Sequence, residues 1–225
     1  MDNGSFITND GATVGVLIVD DHRMFGESLA RLLSDEDGIT VLGVATSGGD
    51  AVEAAERLHP QVVLMDYQLP DQDGVTVAAE IKRRDPAAMV VMLTGLGDDR
   101  VLLAAIDAGC SGFLTKDRAA AEVAEAVRAA AAGEALISPA LLARLLPKLN
   151  RTHREVGSDL TDREREILTL LAKGWSNRII ASELFLSLNT IRNHIQSILR
   201  KLGSHSKLEA VATAVREGVI DYPSA

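Results

Sequence analysis

Five residues in the first half of the chain combine types that could do chemistry together, and each closely follows a short apolar run. They are Asp20, Asp21, Asp66, Thr94 and Lys116. Short continuous runs of aliphatic and β-branched residues are typical of buried parallel strands. Because an open parallel sheet binds ligands beyond the carboxyl ends of its strands, we expect the five side chains to converge in one crevice.

Three carboxylates in one crevice predict a bound cation. Crowded carboxylates repel one another, and the arrangement is stable only when positive charge lies among them. Oxygen ligands of this kind favour Mg²⁺, which also keeps water and phosphate in its coordination shell. Asp66 could then attack a phosphoryl group, while the metal and Lys116 stabilise the phosphoryl oxygens and Thr94 donates a hydrogen bond to one of them.

Each of these residues also has an ordinary structural interpretation. Asp20 or Asp21 could cap the helix that follows them, and Asp66 could open a turn. Thr94 could be a strand residue, and Lys116 could be a solvated side chain. The chemical interpretation therefore depends on the combination, since all five residue types follow apolar runs of the expected kind.

The elements that would position these residues follow from four apolar runs and the amphipathic stretches among them. Alternation of this kind indicates repeated strand and helix units around a parallel sheet. The apolar runs are 16–19, 62–65, 90–93 and 112–114, and the amphipathic stretches are 22–34, 50–58, 74–84 and 98–108.

Four motifs in this half carry a family likeness: the acidic pair 20–21, the segment 66–74, Thr94-Gly95 and Lys116-Asp117. With these motifs in place, residues 13–133 resemble the receiver domain of bacterial two-component response regulators. The resemblance implies a doubly wound α/β fold with a five-stranded parallel sheet in the flavodoxin-like strand order. It also implies a histidine kinase as partner.

The resemblance assigns a role to each site residue. Asp66 is the implied phosphoacceptor, and Mg²⁺ is the implied cofactor. The implied ligands of Mg²⁺ are Asp20, Asp21, Asp66 and the backbone carbonyl of Gln68. The implied phosphorylation switch consists of Thr94, Phe113 and Lys116. Phe113 stands where the family more often has tyrosine, and packing in the core is the alternative role for it.

Charge divides the 225-residue chain into two unlike halves, which favours two domains. Residues 1–137 contain 10 basic and 23 acidic side chains, a charge of −13, whereas residues 138–225 contain 13 and 9, a charge of +4.

Cys110 is the single cysteine, which excludes an intramolecular disulfide and favours a reducing compartment. Residues 1–13 lack signal-peptide features, and no apolar run suits membrane insertion, so we expect a cytoplasmic protein.

Residues 134–159 are predicted to form a linker that contains a short helix. Ser138 followed by Pro139 is typical of a helix start, and the helix is expected to run over 140–146. The polar stretch 148–159 lacks apolar periodicity and is interpreted as flexible.

Residues 160–225 are predicted to form a separate all-α domain of four helices. A capping box of Thr161 and Glu164 starts the first helix, which ends at Gly174. The next helices are predicted over 177–184 after a Ser176 cap, from a Ser187 cap to Leu202, and near 207–216. The residues of the second helix that are expected to face inward are Ile179, Ile180 and Leu184. The second and third helices, joined by a short turn, make a helix-turn-helix.

The third helix of this domain has the features of a DNA-reading helix. Its apolar residues recur at three- and four-residue spacing and point inward, which leaves Arg192, Asn193 and Gln196 exposed. The stretch 185–208 contains four Lys and Arg side chains and no acidic one. Such a field attracts phosphate backbones, while Arg, Asn and Gln in a groove discriminate bases.

Motifs along this domain carry a second family likeness, and they lie at 160–161, 163–168, 176–177, 180–181, 186–187, 190–192, 194 and 201–203. They make residues 160–211 similar to the LuxR-type helix-turn-helix of NarL/FixJ-class regulators. The resemblance implies that the last helix forms a contact in a DNA-bound dimer. The implied DNA-binding residues are Ser176, Ser187, Thr190, Arg192, Asn193, Gln196 and Lys201.

Taken together, these features predict a transcriptional response regulator and not a turnover enzyme. Phosphorylation of Asp66 by a histidine kinase would promote homodimer formation and binding to double-stranded DNA at an imperfect palindrome, with RNA polymerase as a further candidate partner. Two alternatives stay open. One is a phosphorylation-independent DNA-binding regulator, and the other is an aspartyl-phosphate phosphotransfer enzyme, which Gln68 disfavours because such enzymes have a second aspartate there.

Overall fold

The structure is a computed structural model that describes residues 13–93, 98–116, 118–149 and 157–221. Among the predicted site residues, Thr94 lies outside this part of the chain. The same holds for residues 150–156, which make up most of the stretch predicted to be flexible.

The first half of the chain forms a five-stranded parallel sheet in the order β2-β1-β3-β4-β5, which confirms the predicted order. The strands are β1 Val14–Val19, β2 Ile39–Ala45, β3 Val62–Asp66, β4 Met89–Leu93 and β5 Gly112–Leu114. The apolar runs did not include β2. This strand lies at the edge of the sheet and is mostly half-buried, so its sequence lacks the continuous apolar character of a central strand.

Helices cover both faces of the sheet, because alternate residues of each central strand point to opposite sides. The helices are α1 Arg23–Ser34, α2 Gly48–Leu58, α3 Gly74–Arg84, α4 Asp99–Asp107 and α5 Ala120–Ala131. Leu17 and Val63 pack with α2 and α3 on one face. Ile18 and Leu64 pack with α1 and α5 on the other. The doubly wound arrangement is therefore confirmed.

The second half of the described chain is helical, as predicted. It contains α6 Pro139–Leu145, a single 3₁₀ turn at Leu146–Lys148, α7 Asp162–Ala172, α8 Asn177–Glu183, α9 Leu188–Leu202 and α10 Lys207–Arg216. The capping box of Thr161 and Glu164 is present at the start of α7, and Ser176 and Ser187 cap α8 and α9. These starts were predictable because each depends on hydrogen bonds within three residues.

The predicted inward position of Ile179 in α8 is wrong. Ile179 is 51% exposed, whereas Ile180 is fully buried. Residues that are neighbours in sequence lie about 100° apart around a helix, and the buried face of α8 is narrow, with Asn177, Ile180 and Ala181 on it. With Ile180 and Leu184 directed inward at four-residue spacing, Ile179 is turned toward solvent.

The two halves of the chain share one hydrophobic core. Leu102 and Ile106 of α4 pack in the same cluster as Leu142 and Leu145 of α6 and the apolar faces of α7 to α10. The short helix predicted for the linker is therefore packed against its neighbours, and α10 lies directly on α4. Among the described residues, no helix is both long enough and apolar enough to cross a membrane.

Candidate phosphoacceptor site and DNA-reading helix

The carboxyl ends of β1, β3 and β5 bring Asp20, Asp66 and Lys116 together. Asp20 directly follows β1, Asp66 is the last residue of β3, and Lys116 lies two residues beyond β5. The Lys116 ammonium nitrogen lies 2.7 Å from Asp20 Oδ2 and 2.8 Å from Asp66 Oδ2. Both aspartates are buried, whereas 30% of the Lys116 side chain is exposed. The crevice thus presents two desolvated carboxylates joined by one partly accessible cation.

Burial and pairing act in opposite directions on the charges of this crevice. Burial raises the pKa of Asp66 above its ordinary value, and the hydrogen bond and charge of Lys116 offset only part of that increase. Burial alone would lower the pKa of Lys116, but its hydrogen bonds to Asp20 and Asp66 outweigh the loss of water and raise it. Lys116 therefore stays charged, and Asp66 is a carboxylate whose negative charge is poorly solvated.

The crevice suits a small hard cation. Asp20, Asp21, His22 and Asp66 each offer one ligand atom, and these atoms all lie within 4.8 Å of one another. Asp20 Oδ2 is buried beside the Lys116 ammonium, and among the described residues no other donor reaches it. Carboxylate oxygens held this closely, with room for water on the exposed side of Asp21, match the preferences of Mg²⁺.

His22 is a neighbour of the acidic pair whose contacts sequence reasoning missed. Its Nδ1 atom lies 2.7 Å from Asp21 Oδ1 and 3.4 Å from Asp20 Oδ1, while its backbone N–H donates to Asp20 Oδ1 at 2.9 Å. His22 is the N-cap residue of α1 without a side-chain capping bond. Its position directly after two aspartates was the signal that could have found it.

The loop after Asp66 begins and ends with close backbone contacts. The Gly74 N–H donates to the Tyr67 carbonyl at 2.8 Å, and a β-bridge joins Gln68 to Asp73. A Cβ atom at Gly74 would lie 2.0 Å from the Asp66 carbonyl oxygen, so only glycine fits there. Asp73 caps α3 through the Thr76 N–H at 2.9 Å. These contacts close the two ends of the loop that carries Gln68, which is exposed two residues after Asp66.

Phe113 connects the sheet to the rest of the molecule. It is half-buried in β5 and packs against the cluster on the α2 and α3 face as well as the cluster shared by α4 and the C-terminal helices. Its N–H donates to the Leu136 carbonyl at 2.7 Å. The ring therefore lies where a movement of β5 would reach α4 and α10.

The exposed face of α9 carries the predicted base-reading residues. Arg192, Asn193 and Gln196 are all exposed. Ile191, Ile195, Ile198 and Leu202 are buried on the opposite face. The Ser187 hydroxyl accepts from the Thr190 N–H at 3.0 Å and lies 2.8 Å from the Thr190 hydroxyl, so both side chains help to start the helix. Ser176 does the same for α8 through Ile179 N–H at 3.4 Å.

Lys201, predicted to contact the DNA backbone, is engaged within the protein. Its ammonium donates to Glu164 Oε2 at 2.7 Å and to the Asp159 carbonyl at 2.9 Å. Burial disfavours ionisation of Glu164, but hydrogen bonds from Lys201 and from the Thr161 N–H and hydroxyl lower its pKa to about 2. The pair is thus a stabilising feature of the helical domain, and a DNA contact by Lys201 stays a prediction.

Replacing Glu164 by Gln should lower the free energy of unfolding at pH 7 by about 2 to 3 kcal/mol, because a pKa of about 2 instead of 4.5 stabilises the folded state wherever the group is ionised. The stabilisation is present above pH 4.5 and is lost as the pH falls towards 2. Denaturant unfolding followed through Trp175, the single tryptophan, measures the difference. Glu166 forms a more exposed ion pair with Arg163 on the same helix, so the control Glu166→Gln should lower the free energy of unfolding by at most about 0.5 kcal/mol. A Glu164→Gln difference that is equal at pH 7 and pH 3 would contradict the assignment.

Two buried lysines lie between the halves of the chain and were also missed. Lys82 donates to the carbonyls of Pro86, Ala88 and His205, and Lys207 pairs with Glu134 at 2.8 Å. Burial lowers the pKa of both lysines. Lys82 continues the buried face of α3 at the four-residue spacing of a helix, which was the signal in the sequence that could have found it.

Comparison with known proteins gives the class of this chain. Residues 16–128 match the family model described as response regulator receiver domain, and residues 158–214 match that of bacterial regulatory proteins of the luxR family. The chain therefore belongs to the two-component response regulators that carry a LuxR-type DNA-binding domain.

Individual relatives match this chain over different lengths. The response regulator protein VraR of Staphylococcus epidermidis is 37% identical over 207 residues, which cover 92% of this chain and 99% of that protein. A LuxR-family two-component response regulator from Aurantimonas sp. is 30% identical, covers 60% of this chain and 97% of its own, and has a TM-score of 0.55. The RcsB response regulator of Salmonella typhimurium is 26% identical, covers 89% of this chain and 97% of its own, and has a TM-score of 0.53.

Proposed function

We propose that this chain is a transcription regulator in which phosphorylation of Asp66 controls dimerisation and promoter binding. The bridge from Lys116 to both Asp20 and Asp66 is the observation that carries the proposal, because it joins a nucleophile, a metal-binding carboxylate and a fixed positive charge. We assign residues 13–133 to the phosphoacceptor domain, 134–159 to the linker and 160–225 to the DNA-binding domain. The protein acts as a cytoplasmic regulator and not as a turnover enzyme.

Phosphoryl transfer places defined demands on the residues of the crevice. A bond forms between a carboxylate oxygen of Asp66 and phosphorus, and the bond from phosphorus to a histidine nitrogen of the kinase breaks. The Lys116 ammonium lies beside the attacking oxygen and is placed to bind a phosphoryl oxygen once the bond forms. Mg²⁺, held by Asp20, Asp21, Asp66 and the Gln68 carbonyl, would neutralise charge on the phosphoryl oxygens. Thr94 is the proposed hydrogen-bond donor to a phosphoryl oxygen in the switch.

The packing of α10 suggests how the phosphoryl group controls the second domain. The resemblance assigns α10 to the dimer contact, yet its apolar face is buried with Leu102 and Ile106 of α4. The Ser206 hydroxyl also donates to the Cys110 carbonyl at 3.0 Å, and Arg216 pairs with Asp107. We infer that the unphosphorylated chain keeps α10 covered, and that a change at Lys116 and Phe113 releases it by shifting β5 and α4.

Double-stranded DNA is the proposed target of the released domain. Arg192, Asn193 and Gln196 are exposed together on α9 and suit base edges in the major groove. Another structural neighbour contains two RcsB dimers bound to two parallel DNAs. A second copy of the chain would place two α9 helices about one helical turn apart, which requires an imperfect palindrome. RNA polymerase is a further candidate partner at the promoter.

The test of the proposal combines chemistry with assembly. The purified chain is incubated with Mg²⁺ and a small-molecule phosphodonor, and its intact mass and oligomeric state are recorded together. We expect the gain of one phosphoryl group accompanied by dimer formation. DNA binding that is unchanged, with no mass gain, would instead identify a regulator that works without phosphorylation.

Loosening the contact between α4 and α10 should activate the unphosphorylated chain in part. Asp107→Lys replaces the partner of Arg216 by a like charge, and we expect a two- to fivefold gain in DNA affinity without phosphodonor, since exposed pairs contribute about 0.2 to 1 kcal/mol. Glu53→Lys, the same charge change at an exposed position of α2, is the control for added positive charge. Equal gains in the two variants would contradict the covering role of α4.

A further inference from the structure

Asp71 joins the loop after β3 to the start of α2. This loop, residues 67–73, carries the Gln68 carbonyl, and Asp71 lies on its outer part. Asp71 Oδ1 accepts from the Gly48 N–H at 2.8 Å, and Oδ2 accepts from the Gly49 N–H at 3.0 Å. The same carboxylate therefore holds the two residues that begin α2.

The two hydrogen bonds that Asp71 accepts are charge-assisted, although Asp71 is exposed. A carboxylate that accepts from backbone N–H groups at a helix start gains from its charge and from the positive end of the helix dipole. The bonds from Gly48 and Gly49 lower the pKa of Asp71, which keeps it ionised at neutral pH. Two parallel bonds to adjacent amides also fix the orientation of the carboxylate.

The close approach of α2 to the loop depends on a small residue at the helix start. A Cβ atom at Gly48 would lie 2.4 Å from Gln72 Nε2 and 2.7 Å from Val77 Cγ2. The first residue of α2 is thus in contact with the loop on one side of Asp71 and with α3 beyond it. The Gly74 N–H bond to the Tyr67 carbonyl and the Gln68–Asp73 bridge hold the two ends of the loop together. Asp71 holds its outer part to the start of α2.

We propose that Asp71 is a positioning residue for Mg²⁺ binding, which holds the 67–73 loop so that the Gln68 carbonyl faces the acidic crevice. The inference rests on the proposed function of Asp66. Its physical basis is that only Tyr67 and Leu69 of the loop pack against the core, whereas Gln68 and Pro70 are exposed, so the bonds of Asp71 hold the outer part of the loop. Residues that orient metal ligands without touching the metal typically change metal affinity by about 10- to 100-fold when they are replaced.

The test compares Asp71→Ala and Asp71→Asn with a matched control. Asp50→Asn removes an equal charge from an exposed position in the first turn of the same helix. Calorimetric titration with Mg²⁺ alone, without phosphodonor, gives the dissociation constant. Amide hydrogen exchange at Gly48 and Gly49 reports the bonds themselves. We expect Asp71→Ala to weaken Mg²⁺ binding roughly tenfold and to expose both amides, while Asp50→Asn stays within about twofold of the original chain.

Several outcomes would overturn the inference. If Asp71→Ala exposes the Gly48 and Gly49 amides but binds Mg²⁺ as tightly as the original chain, Asp71 is a local helix cap only. If Asp71→Ala does not fold, Asp71→Asn, which keeps the shape but loses the charge and one acceptor, must still weaken binding by more than about threefold. An original chain that binds no Mg²⁺ would overturn the proposed function as well, whereas a failure confined to the variants overturns this inference alone.

Discussion

Replacing Asp66 by Asn should reduce phosphoryl incorporation from a small-molecule donor below detection while the chain remains folded. The carboxamide has the shape of the carboxylate but is not a nucleophile. Among the described residues, Asp20 is the other carboxylate paired with the Lys116 ammonium, and Asp20 is fully buried. Intact mass after incubation with donor and Mg²⁺ measures the effect. Asp50→Asn, on the exposed start of α2, should incorporate phosphate as the original chain does.

The stability of the Asp66→Asn variant provides a second readout. Burial raises the pKa of Asp66, so the ionised form opposes folding at neutral pH, and this cost is absent below the ordinary pKa of 3.8. The variant should therefore unfold at the same denaturant concentration as the original chain or a higher one at pH 7. Undiminished phosphorylation of a folded Asp66→Asn chain would refute the assignment of the nucleophile. Loss of folding would instead show that the carboxylate is needed for structure.

Replacing Arg192 by Ala should weaken binding to the specific operator far more than binding to unrelated DNA. An arginine on the exposed face of α9 is expected to contribute about 1 to 3 kcal/mol by recognition of a base edge, which is roughly a 5- to 150-fold loss of affinity. Binding to the two DNAs is measured with phosphorylated protein at one salt concentration, since the backbone contribution depends on salt.

Arg200→Ala is the matched control for this effect. Arg200 is exposed in the last turn of the same helix, so its removal subtracts the same charge without altering the start of α9. A residue that acts only through phosphates should weaken specific and unrelated DNA alike and reduce the salt dependence by about one unit. If Arg192→Ala behaves in the same way as Arg200→Ala, then Arg192 contacts the backbone and does not read bases.

Local sequence patterns predicted most of the fold. The central strands were recognisable because their residues face helices on both sides and are all apolar, and the capped helix starts were recognisable because Thr161, Ser176 and Ser187 bond to amides only three residues ahead. The edge strand β2 was missed because it is mostly half-buried, and Thr40 and Gly43 interrupt its apolar residues. The inward position given to Ile179 was wrong because a short helix buries only one narrow face.

The sequence by itself predicted which residues meet at the candidate site. Asp20, Asp66 and Lys116 directly or closely follow strands of one parallel sheet, and the geometry of such a sheet makes their convergence unavoidable. The exposed residues of α9 were likewise determined by the spacing of its isoleucines. In both cases the position of a side chain follows from the period of its own strand or helix.

Only the tertiary structure decided which surfaces meet. Asp71 finds its partners at Gly48 and Gly49, Lys201 is engaged by Glu164, and α10 lies on α4. These contacts join residues far apart in the chain, and hydrophobic burial, which drives the surfaces together, has no direction and leaves no periodic trace of the partner. The identity of a residue shows what it can bind, whereas the packing of the whole chain decides what it does bind.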